Sequence, residues 1–184
     1  MKLAPIILAI ISRWAPPSPA PGLPPETHDA YEARLETIAE ATSTIAEESS
    51  WHWGGNLAAA GVLTVWYAET RFDPYIHAGI PNPDRAFHED HGRARCLGSV
   101  HRNAHLSEEE WLDLAGTSLD ATLRCARITT QALGVSLFQC ARDMKPSEEA
   151  LALALEHYAR GHCAEPTEES RRRARQWRRI WAKL

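Results

Sequence analysis

Glu69 closes a stretch, Leu57 to Ala68, in which only Thr64 and the Tyr67 hydroxyl are polar. A carboxyl group at the end of so apolar a segment is partly withdrawn from water, and withdrawal disfavours its charged form. A carboxylic acid that keeps its proton near neutral pH can give it to a leaving-group oxygen, as a glycosidase general acid must. By position alone, the favoured reading is a helix-end glutamate reaching solvent beside Arg71 or the loop. Asp73, Asp84, Glu89 and Asp90 follow as candidate bases for a water, and nothing in the pattern selects one of them. His88-Glu89-Asp90-His91, with His101 and His105, has metal-ligating residue types. It lies where no helical periodicity would aim two imidazoles together, so no metal is assigned.

The elements that would position these groups read as helices. Tyr31, Leu35, Ile38, Thr42 and Ile45 recur at helical spacing between Thr27 and Ser50. Trp51-His52-Trp53-Gly54-Gly55 interrupts that pattern, and Asn56 is a candidate N-cap for the next helix. The Leu57–Ala68 run is apolar all round and is therefore expected to be buried all round, with Pro74 ending helical geometry soon after Glu69. From Pro74 to His105 the spacing predicts a long irregular loop with room for a short hairpin. Ser107-Glu108-Glu109-Glu110 forms a capping box for a short helix that Gly116 ends. Ser118 caps the next, with Gly134 as its stop. Ser147 caps Glu148 to Arg160, closed by Gly161, and a last helix starts near Pro166-Thr167.

The 184 residues, 44% hydrophobic and 24% charged, suit one globular domain, mainly α, with short extensions. No apolar stretch approaches the roughly 20 residues of a membrane span. Seven of the 20 basic residues lie in the last fourteen positions, which contain no acid, so the net −4 leaves residues 1 to 170 at −11. The body is not a natural polyanion binder, and any attraction to anionic lipid, wall polymer or nucleic acid has to come from the tail. The favoured reading of that tail is a terminal helix docking Trp177 and Trp181 while its arginines pair with the acidic body. Nucleic acid is not the first reading.

Lys2, the apolar run Leu3 to Ile11 and a Pro/Ala-rich exit resemble a weak secretory signal, ahead of the alternative of a disordered tail. The resulting division is residues 1–25 as signal and linker, 26–165 as the domain, and 166–184 as a basic helix. Cys96, Cys125, Cys140 and Cys163 suit two disulfides in a secreted or periplasmic protein, with three connectivities open.

Ala68-Glu69-Thr70-Arg71-Phe72-Asp73-Pro74 resembles the Glu-Ser-x-Phe-x-Pro signature of the lysozyme-like lytic transglycosylases, the group of soluble transglycosylases and goose-type lysozymes. Cys96-Leu97-Gly98-Ser99-Val100 resembles the family's Gly-Leu-Met-Gln-Val segment, and Tyr158-Ala159-Arg160-Gly161 its Tyr-Asn-x-Gly segment. The three occur in family order across about residues 50 to 163. Thr70 keeps the hydroxyl of the usual serine. Ser99 stands where the family has Gln, Cys96 where it has Gly, and Ala159 where it has Asn. These departures bear on substrate contacts.

The resemblance implies a lysozyme-like helical fold with a loop or hairpin insertion lining a glycan cleft. It implies cleavage of peptidoglycan between N-acetylmuramic acid and N-acetylglucosamine, with Glu69 as general acid and base and no cofactor. Thr70, Ser99, Val100 and Tyr158 would be the substrate-contacting residues, with Tyr158 near Glu69 and within its hydrogen-bonding reach. The rivals are a non-catalytic wall-binding module on the same fold and a helical protein binding nucleic acid through its tail.

Overall fold

A computed structural model describes residues 3–15, 24–51, 53–79, 94–101 and 106–184. Among them the chain forms an all-helical domain with one small antiparallel hairpin. The helices are α1 (Ala4–Ile11), α2 (His28–Glu48), α3 (Gly55–Thr70), α4 (Pro74–Ala78), α5 (Glu108–Leu112), α6 (Leu119–Ala141), α7 (Glu148–Arg160) and α8 (Glu168–Trp181). The strands β1 (Ala94–Arg95) and β2 (Val100–His101) pair between α4 and α5.

Local chemistry accounts for most helix starts. Thr27, Ser107, Ser118, Ser147 and Thr167 each accept a backbone N–H of the first turn through the side chain, and Glu110 returns the bond to Ser107. Helix α3 starts otherwise. Gly54, not Asn56, is its N-cap, and a Cβ on Gly55 would fall 1.7 Å from the Ala46 carbonyl oxygen. Only glycine lets the chain turn so closely against α2 before entering the core.

Helix α3 is the central element, packed by α2, α6 and α8, with α7 bridging α6 and α8. Leu57 to Trp66 are all buried, as an apolar-all-round pattern requires. Burial of side chains such as Leu63 and Val65 contributes on the order of 2 kcal/mol each. Trp66 donates its indole N–H to Thr129 on α6 at 3.2 Å, which satisfies the one polar group this large core residue brings.

Three further sequence expectations are corrected. Pro74 does not end helical geometry; it opens α4 at N1, with Asp73 as N-cap, because a missing N–H costs nothing in a first turn. Gly134 does not stop α6, which continues to Ala141. A Cβ there would meet Trp51 Nε1 at 3.1 Å, so the absent side chain makes room for an indole. Helix α5 ends at Leu112, short of Gly116. The apolar N-terminal run is α1 rather than a disordered tail; it packs on α2, and Ile7, Ile10 and Ile11 are buried.

The structure selects one disulfide connectivity, Cys96–Cys125 and Cys140–Cys163. The first ties the hairpin to α6, and the second ties the end of α6 to the chain between α7 and α8. No helix among the described residues is long and apolar enough to cross a membrane.

Candidate active site

Glu69 lies in the last turn of α3, and the chain reverses immediately after it. Arg71 and Phe72 both take left-handed backbone conformations, φ 52° and 56°, which cost a non-glycine residue on the order of 1 kcal/mol or more each. Burial of Phe72 offsets that cost, as does Arg34, whose Nη1 donates to the Phe72 carbonyl at 2.7 Å. Arg34 is itself buried and held by both carboxylate oxygens of Glu26 at 2.7 and 2.8 Å. Thr70 Oγ1 bonds the Trp66 carbonyl at 2.8 Å and lies 3.3 Å from that of Leu97. Thr70 is therefore a buried tie between α3 and the hairpin and does not line the cleft described next.

The hairpin turn, Cys96 to Ser99, is closed by the Ser99 N–H on the Cys96 carbonyl at 3.1 Å, with both end residues at positive φ. Gly98 faces the core. A Cβ on it would sit 2.4 Å from Thr129 Oγ1 and 3.3 Å from Trp66 Nε1. The Gly98 carbonyl accepts from the Tyr158 hydroxyl at 2.9 Å. The Tyr158 hydroxyl is thus bonded to the hairpin, while the resemblance implies only that Tyr158 lies within hydrogen-bonding reach of Glu69. Burial, and next the charge of Glu69, hold the Tyr158 phenol well above its usual range, so it stays a donor.

These elements enclose a cleft of about 760 Å³. Glu69 lines it from α3, Ser99, Val100 and His101 from the hairpin, Gln131, Val135 and Ser136 from α6, Tyr158 from α7 and Arg173 from α8. The Glu69 side chain is 25% exposed, so it neither faces bulk water nor lies sealed beneath packed atoms. Four of the five residues named from sequence as catalytic or substrate-contacting, Glu69, Ser99, Val100 and Tyr158, share this cleft, and Thr70 stands behind its wall.

Arg173, His157 and Gln131 are among the lining residues that the sequence reading did not place at the site. Arg173 Nη1 donates to Glu69 Oε1 at 2.5 Å, and its Nε donates to Glu169 at 2.9 Å. His157 pairs through Nδ1 with the Ser136 hydroxyl at 2.9 Å, and Gln131 lies on the exposed edge of α6. Arg173 sits among several arginines of α8, and only the rotation of that helix against α3 distinguishes it from its neighbours.

The remaining candidates fall elsewhere. Asp73 caps α4, accepting from the Tyr75 and Ile76 N–H groups at 2.9 and 3.1 Å. Asp84, Glu89, Asp90, His88, His91 and His105 lie outside the described residues. His101 is exposed on β2, and no group of three metal-ligating side chains occurs among the described residues. On α8, Trp177 is buried and Arg171, Arg172, Arg173, Arg175 and Arg178 all pair with acids. Comparisons with protein-family models, with curated proteins and with solved structures return no match.

Proposed function

We propose that the protein cleaves peptidoglycan glycan strands on a lysozyme-like helical domain, by the mechanism of the lytic transglycosylases. One observation carries this reading. Glu69, the Gly98-Ser99-Val100 turn and the Tyr158-Ala159-Arg160-Gly161 helix end are far apart in sequence, yet Glu69, Gly98, Ser99, Val100, Tyr158, Ala159 and Gly161 line one open cleft. Resemblances arising by chance in three separate segments have no reason to converge.

In this mechanism the protonated Glu69 carboxyl gives its proton to the oxygen joining N-acetylmuramic acid to N-acetylglucosamine. The bond from that oxygen to C1 of the muramic sugar breaks, leaving an oxocarbenium-like centre. The sugar's own 6-hydroxyl attacks C1 and passes its proton to the Glu69 carboxylate, which restores the acid and yields a 1,6-anhydro end. One carboxyl group suffices, which suits a cleft whose lining holds no second acid among the described residues. Water in place of the 6-hydroxyl would give a hydrolytic product. The two disulfides support an oxidising, extracytoplasmic setting. Removal of the leader-like run would take Ile7, Ile10 and Ile11 out of the core.

The test is incubation of wild type and Glu69→Gln with purified peptidoglycan and mass spectrometry of the products. Anhydro-muropeptides from wild type, reduced at least ~1,000-fold in the variant, are expected, since an amide can neither give nor take the proton. A second reading, a non-catalytic wall-binding module, is favoured by Ser99, by Ala159 and by the ion pair on Glu69. Binding of peptidoglycan without product from either protein would select it. The paired arginines of α8 leave no comparable observation in favour of nucleic acid.

A further inference from the structure

A general acid must reach the scissile bond with a proton on it, yet Glu69 meets the guanidinium of Arg173 at 2.5 Å. The ion pair ties the Glu69 carboxyl group to another side chain, so the resting arrangement opposes the step for which the residue is placed. Arg173 cannot simply be a surface ornament. Its side chain is 17% exposed, and among the described residues it is the one lysine or arginine lining the cleft. Among the described residues, the other charged or titratable groups on this side of the cleft are Glu169 on α8, Tyr158 and His157 on α7, and His101 on β2. Helix α8 is fixed by Trp177 and Ile180, both fully buried, so its backbone stays while the arginine side chain can exchange partners.

The proposed substrate supplies a partner. The muramic sugar carries a lactyl ether that ends in a carboxylate when the stem peptide is absent and in a neutral amide when it is present. A planar guanidinium binds such a carboxylate as readily as it binds that of a glutamate. Resting on the functional reading above, we infer that Arg173 is a carboxylate receptor which Glu69 fills in the free protein. The lactyl carboxylate of a stem-free strand takes over the guanidinium and frees the Glu69 carboxyl group to turn to the glycosidic oxygen. The ion pair is then a latch that the correct substrate opens, and the preferred substrate is glycan stripped of its peptides.

The probes are the disaccharide N-acetylglucosaminyl-N-acetylmuramic acid and its lactyl methyl ester, which has nearly the same shape without the charge, titrated calorimetrically into the full-length protein. Glu69→Gln removes the competing carboxylate and should tighten binding of the acid by about tenfold while leaving the ester unchanged. Adding Arg173→Met should erase the difference between acid and ester, and adding Arg173→Lys instead should keep part of it, which separates lost charge from lost packing. Equal affinities of Glu69→Gln for acid and ester, or binding of neither probe by wild type and by Glu69→Gln, would overturn the inference. Cleavage is scored separately on intact strands and on strands freed of stems by an amidase. Equal cleavage of both overturns the latch while the functional reading stands. The expected charge discrimination without any cleavage keeps Arg173 as a carboxylate receptor and removes the enzymatic reading.

Discussion

Gly98 shows how a single backbone position can control the candidate site. It is wedged between Thr129 and Trp66, and its carbonyl holds the Tyr158 hydroxyl. A methyl group at Gly98 would lie 2.4 Å from Thr129 Oγ1, far inside contact distance. The hairpin would have to lift, taking Ser99 and Val100 away from Glu69 and breaking the bond to Tyr158. Gly98→Ala is therefore expected to cost about 1–3 kcal/mol of stability from overpacking and, on the proposed function, to lower the cleavage rate at least ~10-fold. Denaturant unfolding and product assay on the same preparation check both. Unchanged activity would mean that the hairpin does not shape the working cleft.

Among the elements, the hairpin is held to the body by Cys96–Cys125, and α6 to the chain before α8 by Cys140–Cys163. The sequence separations are 29 and 23, so the loop-closure argument assigns each about 3–4 kcal/mol of stability. Their functional weights differ. Replacing Cys96 and Cys125 by serine frees the wall that carries Ser99 and should depress the proposed cleavage at least ~5-fold even well below the unfolding temperature. The same change at Cys140 and Cys163 should lower the melting temperature and leave low-temperature activity near wild type. Activity of the two double variants, measured beside their melting curves, distinguishes the two roles.

The same elements show what could be read before the structure was known. Thr27, Ser118 and Ser147 signal helix starts through short-range hydrogen bonds, so they are legible in sequence. Gly134 and Pro74 misled because their local preferences yield to context, an indole packed on α6 in one case and a first-turn position in the other. Glu69, Ser99 and Tyr158 were legible as a constellation because each sits in a recognisable segment. The disulfide pairing and the Arg173 contact were not, since both depend on which helix faces bring distant residues together.

For the whole molecule, acid should be the condition that opens the fold, and two buried groups on different elements set the window. His77 on α4 is buried, with Nε2 2.7 Å from Thr122 Oγ1. Thr122 spends its own hydrogen on the Ser118 carbonyl, so the network assigns the proton to Nε2 and leaves Nδ1 without a partner among the described residues. A second proton would add a buried charge near Arg34, and burial first and that guanidinium second hold His77 down at about 3. The unfolded chain takes up this proton near the ordinary value of 6.5, so stability is full above that pH and declines as pH falls towards 3, by up to roughly 4–5 kcal/mol. Glu156 on α7 anchors the start of α8 by accepting from the Thr167 N–H and hydroxyl and the Ser170 hydroxyl at 2.7–2.9 Å. The Thr167 backbone bond is the largest of the causes that hold Glu156 at about 2, so its contribution is present above 4.5 and is lost as pH falls towards 2. Between 6.5 and 4.5 only the histidine of this pair titrates. Urea midpoints across that interval should fall steadily for wild type and stay nearly level for His77→Gln, although the variant begins less stable at neutral pH for want of the bond to Thr122. A wild-type midpoint that holds constant through the interval would show that protonation of His77 is not what destabilises the fold there.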